Sequence, residues 1–323
     1  MTQKDETPLL SFALPTYNRA KFLDYWLKSM IPLAKKYNIQ IFISDNASND
    51  NTKEIVQIWI NIYPLIFYHC NEKNIGVDRN IEMALKMSNT EYTWLLGDTY
   101  IIYEEGLDYV YKLISNNKKY DAIIVNAIGR VKNIPEKDYM DKNLFLSDLA
   151  WHMTMLSTYI YSKSLINYGN FKRYYDSLFA HMGIIFEYIA ERDFLVHWID
   201  KPIIYYIANI AGVNKKSFWS DFTIKTWTEY WSNFVFSLPM SYNLDVKLKC
   251  IKDHGEKSGL FSILGLLNLR SMNQLNYKIY KQYSQFFLFT IKYPKLIILF
   301  ISILPIKLAL IMKFLVLKIY MKD

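Results

Sequence analysis

The chain reads as an α/β protein: a mostly parallel sheet flanked by helices, followed by a helical C-terminal region. Three observations predict this. Apolar runs of strand length alternate with amphipathic stripes of helix length through the first 130 residues. Two of those runs, Leu9–Leu14 and Tyr92–Leu96, stop abruptly at polar residues, as buried parallel strands do where they deliver side chains to a sheet edge. From Phe286 to Met321, Leu, Ile, Phe and Val dominate with periodic lysines, a helical pattern rather than a strand pattern.

Pro15 ends the first strand by withdrawing a backbone donor. Phe22, Leu23, Trp26, Leu27, Met30 and Ala34 then form the stripe of a helix over 19–37. Ile39–Ser44 is a second strand. Ser48, Asn49 and Asp50 offer N-caps to a helix expected to bury Ile55, Ile58, Trp59 and Ile62. Leu65–His69 is the third strand, and a short helix through Asn80–Met87 turns Ile81, Ala84 and Leu85 inward. Tyr92–Leu96 is the fourth strand. Leu107, Val110, Tyr111 and Ile114 mark the next helix, with Glu104 and Glu105 at its start, and Asp121–Asn126 is the fifth strand.

Of the 323 residues, 52% are hydrophobic and 21% charged, enough for a sizeable core and against global disorder. The formal net charge is +8, and the last 38 residues hold six lysines against one acid, Asp323, so that segment carries +5. A basic balance this local suits a membrane surface better than a nucleic-acid groove, and no nucleic-acid partner is expected. Two cysteines, Cys70 and Cys250, define no disulfide framework. The polar start Met1–Glu6 has no apolar core, so no secretory signal is expected there. Histidines 69, 152, 181, 197 and 254 have no metal-ligand spacing, and Gly-x-Ser-x-Gly, Walker and dinucleotide-binding glycine patterns are absent.

Four polar clusters carry the function: Pro15-Thr16-Tyr17-Asn18-Arg19, Ser44-Asp45-Asn46-Ala47-Ser48, Asn74-Ile75-Gly76 with Arg79-Asn80, and Gly97-Asp98 after Trp94-Leu95-Leu96. Each alone could be a strand stop, a turn or a helix cap. In this order they resemble the family 2 glycosyltransferases of the GT-A (Rossmann-like) fold, over about residues 8–130. The resemblance implies a nucleotide-sugar donor, a UDP-sugar first. By position, Pro15, Thr16 and Tyr17 would line base and ribose, and Asp45 would accept from the nucleobase. Arg79 and Asn80 would sit near the nucleotide, and Asp98 would open the acidic Asp-x-Asp element. The chemistry agrees: a strand-end carboxylate accepts an imide N–H, and a Tyr after a turn can stack on a base.

Asp98 is followed by Thr99 and Tyr100, not by further acids. In the family the later acid binds the divalent metal. Its loss leaves Mn²⁺ or Mg²⁺ held by Asp98 and substrate phosphates, metal-free catalysis, or an inactive relative. Lys172, Arg173, Lys215 and Lys216 are the candidate cations for a metal-free leaving group.

The resemblance places acceptor binding in 131–235, after the nucleotide-sugar domain 1–130 and before a membrane-associating helical region, 236–323. The aromatics Trp151, Tyr159, Tyr161, Tyr168, Phe171, Tyr174, Tyr175, Trp198, Trp219, Trp227 and Trp231 could stack on sugars or fill core. Thr158–Ser164 resembles the family's strand-plus-basic segment, and Tyr174–Ala190 the helix after it. An inverting transfer, as the family implies, needs one base near the acceptor hydroxyl. Asp176, expected at the helix N-terminus, and His181 come closest by position, with Glu187 and Glu191 as alternatives. As structural residues they would be an N-cap and a core histidine.

The longest uncharged stretch of the tail, Leu296–Ile306, is 11 residues and contains Pro305, where a spanning helix needs about 20. Interfacial helices with lysines at lipid headgroups fit it, as does an ordinary buried helix pair. The expectation is an inverting enzyme on the cytoplasmic face of the inner membrane of a bacterium, peripherally attached, building a surface polysaccharide on a lipid-linked or lipid-core glycan. The alternative is a catalytically inactive nucleotide-sugar-binding or scaffolding relative.

Overall fold

The computed structural model describes residues 8–207 and 222–320, the side chains of 319 and 320 excepted. The chain divides into two compact units, 1–145 with 152–214, and 146–151 with 215–323.

The first unit is built on one sheet. Its strands are β1 (Leu10–Thr16), β2 (Gln40–Asp45), β3 (Ile66–Cys70), β4 (Tyr92–Leu95), β5 (Tyr100–Ile102), β6 (Ala122–Ala127), β7 (Lys137–Tyr139), β8 (Tyr159–Ser162) and β9 (Val196–Tyr206). They lie in the order β3-β2-β1-β4-β8-β6-β9-β5, with β7 also on β9. β3, β2, β1 and β4 are parallel. Beyond them the sheet is mixed: β8 runs antiparallel between β4 and β6, β6 and β9 are parallel, and β5 and β7 pair antiparallel with β9. Register places Thr16 beside Asp45, Asp45 beside Cys70, and Ala13 beside Leu95. The C-terminal ends of four parallel strands therefore share one edge.

The helices of this unit are α1 (Ala20–Lys36), α2 (Thr52–Ile62), α3 (Val77–Lys86), α4 (Glu104–Ile114), α5 (Lys142–Leu149, which continues into the second unit), α6 (Lys163–Tyr168) and α7 (Ala180–Tyr188). α1 buries the whole predicted stripe, and Trp26 donates its Nε1–H to the Tyr100 carbonyl at 2.9 Å. Phe12 packs edge-on to both Trp26 and Trp94, tying helix to sheet. α3 buries Ile81, Ala84 and Leu85 as the pattern requires.

Two helices differ from the sequence reading. α2 buries Thr52 and Val56, while Ile58 and Ile62 are exposed. Two stripes compete on that helix. The winning one starts at Thr52, whose hydroxyl donates to Asp50, and continues through Val56 and the partly buried Ile60. The helix expected over 174–190 is broken: a 3₁₀ turn covers Phe171–Tyr174 and α7 starts only at Ala180. Asp176 (φ 63°) and Leu178 (φ 71°) lie in the left-handed region between them, which a right-handed helix cannot include. Asp176 is thus in a loop, not at a helix N-terminus.

The second unit is helical: α8 (Thr223–Lys225), a π turn over Thr226–Tyr230, α9 (Trp231–Ser237), α10 (Leu244–Lys257), α11 (Ile263–Ser271), α12 (Tyr277–Tyr283), α13 (Phe287–Thr290), α14 (Lys295–Ile303) and α15 (Ile306–Tyr320). Trp231, Phe234, Ile251, Leu266 and Leu267 form part of its core, and Trp227 stacks on His254 at 4.0 Å. Of the aromatics singled out in the sequence, Tyr168 is exposed, Tyr175 is half-buried, Trp219 lies outside the described residues, and the others are buried.

Candidate active site

The shared strand edge is assembled by α3. Gly76 precedes the helix with φ 87°, a conformation that favours glycine. One turn on, the buried Asn80 amide donates to the carbonyls of Ser44 (3.0 Å) and Thr16 (3.4 Å). Its oxygen accepts from the Ser44 hydroxyl (2.8 Å) and the Asn71 amide (3.0 Å). Asn80 therefore acts as a four-point tie across the ends of β1, β2 and the segment after β3, and sits there rather than on an open surface.

Asp45 is almost fully buried. Its Oδ1 accepts from the backbone N–H (3.0 Å) and hydroxyl (2.5 Å) of Ser48, and its Oδ2 from the Tyr68 hydroxyl (2.7 Å). Burial and that carboxylate push the Tyr68 phenol well above its ordinary value, so it stays a donor. Asn18 connects the first two motifs: its N–H donates to Ser48 Oγ (2.7 Å) and its Oδ1 accepts from Asn49 N–H (2.8 Å). Thr16 is buried, and its Oγ1 has no hydrogen-bond partner among the described residues. Tyr17, beside it, is 43% exposed and Pro15 is half-buried, so an apolar wall with one aromatic face is available at the same place.

Asp98 follows β4 at the same edge and is buried. Arg19 donates its Nε–H to Asp98 Oδ2 at 2.5 Å, and its guanidinium lies 4.3 Å from the centre of the Phe22 ring. The first and fourth motifs are thereby joined by an ion pair. Neither Mg²⁺ nor Mn²⁺ is well served by these residues. Such cations take several hard oxygen ligands. Here Asp98 is one carboxylate already held by a guanidinium, and among the described residues no group of three or more His, Cys, Asp or Glu could hold a metal ion.

The other sequence-predicted residues lie around the loop after the 3₁₀ turn. Arg79, at the start of α3, makes a two-pronged pair with Asp176 (2.8 and 3.2 Å) and stacks 4.3 Å from the Tyr175 ring centre. The Asp176 side chain is 76% exposed. Arg79 holds its carboxyl below the usual carboxylate range. His181 is not brought to this surface. It is buried in α7 against Tyr159, and burial pushes its pKa down to about 3, so it is a neutral core side chain. Glu187 accepts from the Tyr174 hydroxyl (2.7 Å) and from Arg173 (3.3 Å), Lys172 is exposed, and Lys215 and Lys216 lie outside the described residues.

Two residues were missed in the sequence. Asp78 is buried, and its two oxygens accept the backbone N–H groups of Leu178 (3.0 Å) and Ala180 (3.2 Å), which fixes the loop that carries Asp176. Burial raises its carboxyl from 3.8 to about 6. Arg19 was read only as the end of a motif. Nothing local marks either role, because both partners lie about 80 to 100 residues away in the chain.

Residues 11–220 match the family model of Glycosyl transferase family 2. The chain is similar to the abequosyltransferase RfbV of Salmonella typhimurium, 27% identical over 220 residues that make up 61% of this chain and 66% of that protein. It is also similar to the poly(ribitol-phosphate) β-N-acetylglucosaminyltransferase TarP of Staphylococcus aureus, 26% identical over 145 residues, 43% of each chain. The matches thus span just under two thirds of the first relative and under half of the second. Among solved structures, Staphylococcus aureus TarS 1–349 in complex with UDP-GlcNAc superposes with a TM-score of 0.58 at 16% identity, covering 86% of this chain and 79% of that one. The mannosyltransferase PcManGT from Pyrobaculum calidifontis in complex with GDP-Man and Mn²⁺ gives 0.51 at 12% identity, covering 87% and 84%. At these identities the structural likeness is one of fold.

Proposed function

The chain belongs to glycosyl transferase family 2, and we propose that it is an inverting glycosyltransferase that moves a sugar from a nucleoside diphosphate, UDP first, to a lipid-linked or lipid-core glycan of a bacterial surface polysaccharide. One observation carries the donor part: Asn80 ties Thr16, Ser44 and Asn71 together, so that the exposed Tyr17 and the Thr16 hydroxyl stand on a prebuilt edge beside the Arg19–Asp98 pair. The similarity to an abequosyltransferase and to a poly(ribitol-phosphate) β-N-acetylglucosaminyltransferase, and the TarS complex with UDP-GlcNAc, support it.

In this reading Tyr17 stacks on the base, and Asp45 shapes the base pocket through Ser48 and Tyr68. Asp176 takes the proton of the acceptor hydroxyl as its oxygen attacks the anomeric carbon and the nucleoside diphosphate leaves. Arg79 orients the Asp176 carboxylate. The Mn²⁺ of the PcManGT complex would have one carboxylate to meet here, Asp98, and no step is assigned to it. Titration with UDP, GDP and dTDP tests the donor site: one of them binds, and its sugar conjugate is turned over with acceptor present. Binding without turnover points instead to an inactive nucleotide-sugar-binding relative, a reading that the Arg19–Asp98 pairing favours. No binding to any of the three removes the donor site.

Attachment to the cytoplasmic membrane face is proposed on the second unit. Among the described residues no helix is long and apolar enough to cross a membrane. α14 and α15 expose Leu296, Phe300, Ile303, Ile311, Phe314 and Leu315, interspersed with Lys295, Lys307, Lys313 and Lys318. Apolar side chains with flanking lysines suit helices lying in an anionic headgroup layer. Phe314→Asp with Leu315→Glu is expected to abolish co-flotation with phosphatidylglycerol vesicles. Unchanged flotation removes this surface from the reading.

A further inference from the structure

We propose that Arg19 is the built-in cation of the donor site and holds the donor's diphosphate without a protein-bound metal. The inference rests on the donor-site reading above and concerns what neutralises the ligand there.

A nucleoside diphosphate brings two or more negative charges to an edge where Asp98 already places a buried carboxylate. Two like charges about 4 Å apart at an intermediate dielectric repel by several kcal/mol, so a cation must stand between them. A divalent ion would need more oxygen ligands than this edge supplies. Asp98 is followed by Thr99 and Tyr100, and the described residues hold no metal-competent cluster. The cation in place is Arg19. It approaches Asp98 through Nε at 2.5 Å, which leaves the terminal nitrogens as the part of the fork that matches two phosphate oxygens. Its side chain is 25% exposed, so a ligand can reach it, while the Phe22 ring 4.3 Å away and the ion pair limit where it can go.

The surrounding geometry agrees. Arg19 immediately follows Asn18, which is fixed to Ser48 and Asn49 on the next motif, and it immediately precedes α1, whose first N–H, on Ala20, is taken by Asp50. The guanidinium is therefore anchored at its backbone from the same edge that carries Thr16 and Tyr17. Two other arginines among the described residues are already paired. Arg173 pairs with Glu187, and Arg79 is engaged by Asp176. Asp98 in this arrangement is the counter-ion that aims Arg19, and its acid group needs no second acid beside it. That accounts for Thr99 and Tyr100 at positions where the family resemblance leads one to expect acids.

The test compares the diphosphate that binds (UDP, GDP or dTDP) with its own nucleoside by calorimetry, once in EDTA and once in Mn²⁺. In the wild type the diphosphate binds at least tenfold more tightly than the nucleoside in EDTA, and Mn²⁺ alters its affinity less than twofold. Arg19→Ala erases the preference for the diphosphate while nucleoside affinity persists, which also shows that the edge is folded. Arg19→Lys, which keeps a charge without the fork, retains part of the preference. A preference that exists only with Mn²⁺, or that survives Arg19→Ala, overturns the inference and leaves the donor site standing. Failure of all three diphosphates to bind overturns both.

Discussion

The strand edge and the loop 175–180 are both held from the first turn of the same short helix, α3, and are built on opposite principles. At the edge, polar side chains are buried and satisfied by one another: Asn80 makes four bonds, and Asp45 accepts three close ones. At the loop, two non-glycine residues sit at positive φ, and the carboxylate of interest is largely exposed. Burying satisfied polar groups fixes their positions before any ligand arrives, whereas a strained loop keeps its shape only while its anchors hold. The donor side is thus rigid by construction, and the loop side is held by Asp78, Arg79 and Glu82, the last accepting from the Tyr175 hydroxyl.

The largest effect should come from breaking the rigid side. Asn80→Leu leaves the Ser44 and Thr16 carbonyls, the Ser44 hydroxyl and the Asn71 amide without that partner in a buried place. At roughly 1–3 kcal/mol for each buried polar group left unpaired, partly recovered by relaxation, a loss of about 4 kcal/mol is expected. Urea unfolding measures it, and nucleotide binding should vanish with it. A loss below about 1 kcal/mol would mean that the edge does not depend on this tie. Next comes the loop side. Asp176→Asn should cut turnover by about 10²–10⁴-fold, the usual worth of a general base, and leave diphosphate affinity unchanged. Equal losses in both would merge the two regions into one functional unit.

What the sequence made legible follows the same division. The strands β1, β2, β3, β4 and β6, the α1 and α3 stripes and the motif residues of the edge were readable, because apolar period and strand-end punctuation are local signals. In the mixed half, β5, β7 and β9 were not. β5 and β7 are three residues each, and β9 carries Lys201-Pro202 between its two apolar halves, so neither period nor length marks them. The loop failed for a different reason. The run 174–190 has helical composition, but Asp78, about 100 residues earlier, accepts two of its N–H groups and stabilises a left-handed turn in their place. His181 was placed by motif spacing alone, and spacing does not report that α7 is buried nearly all round. Arg19 was invisible as a partner of Asp98 because only the pairing of β1 with β4 brings the two together.

Asp78 offers a smaller, pH-dependent way to separate the regions. Its folded-state pKa is raised from 3.8 to about 6, chiefly by burial and against the backbone N–H groups of Leu178, Ala180 and Asp176, which favour the ionised form. The sign is therefore the reverse of the common carboxylate case. The folded chain binds this proton more tightly than the unfolded chain, so Asp78 contributes stability that is fully present below about pH 4 and is lost as pH rises through about 6. That interval corresponds to about 3 kcal/mol at most. Asp78→Asn, which cannot ionise, should flatten this part of the stability curve between pH 4 and 7 in thermal unfolding. Amide exchange at Leu178 and Ala180 should report the loop itself. A slope that survives the substitution would assign the titration elsewhere and leave the loop's anchoring to Arg79 and Glu82.

The smallest effect belongs to Arg79. Its pair with Asp176 is exposed at both ends, and exposed pairs contribute little to stability, so Arg79→Ala should leave the unfolding midpoint nearly unchanged. Its consequence is chemical. The guanidinium holds the Asp176 carboxyl below the usual range, so a base at that position stays ionised to lower pH than an ordinary aspartate would. With Arg79 removed, the Asp176 pKa returns upward, and the acid limb of the pH–rate profile should move to higher pH while the rate on the alkaline side is retained. Arg79→Lys, still cationic but without the fork, should fall between the two. An acid limb that does not move would mean that the proton goes to another group, and would reduce the Arg79–Asp176 pair to one more anchor of the strained loop.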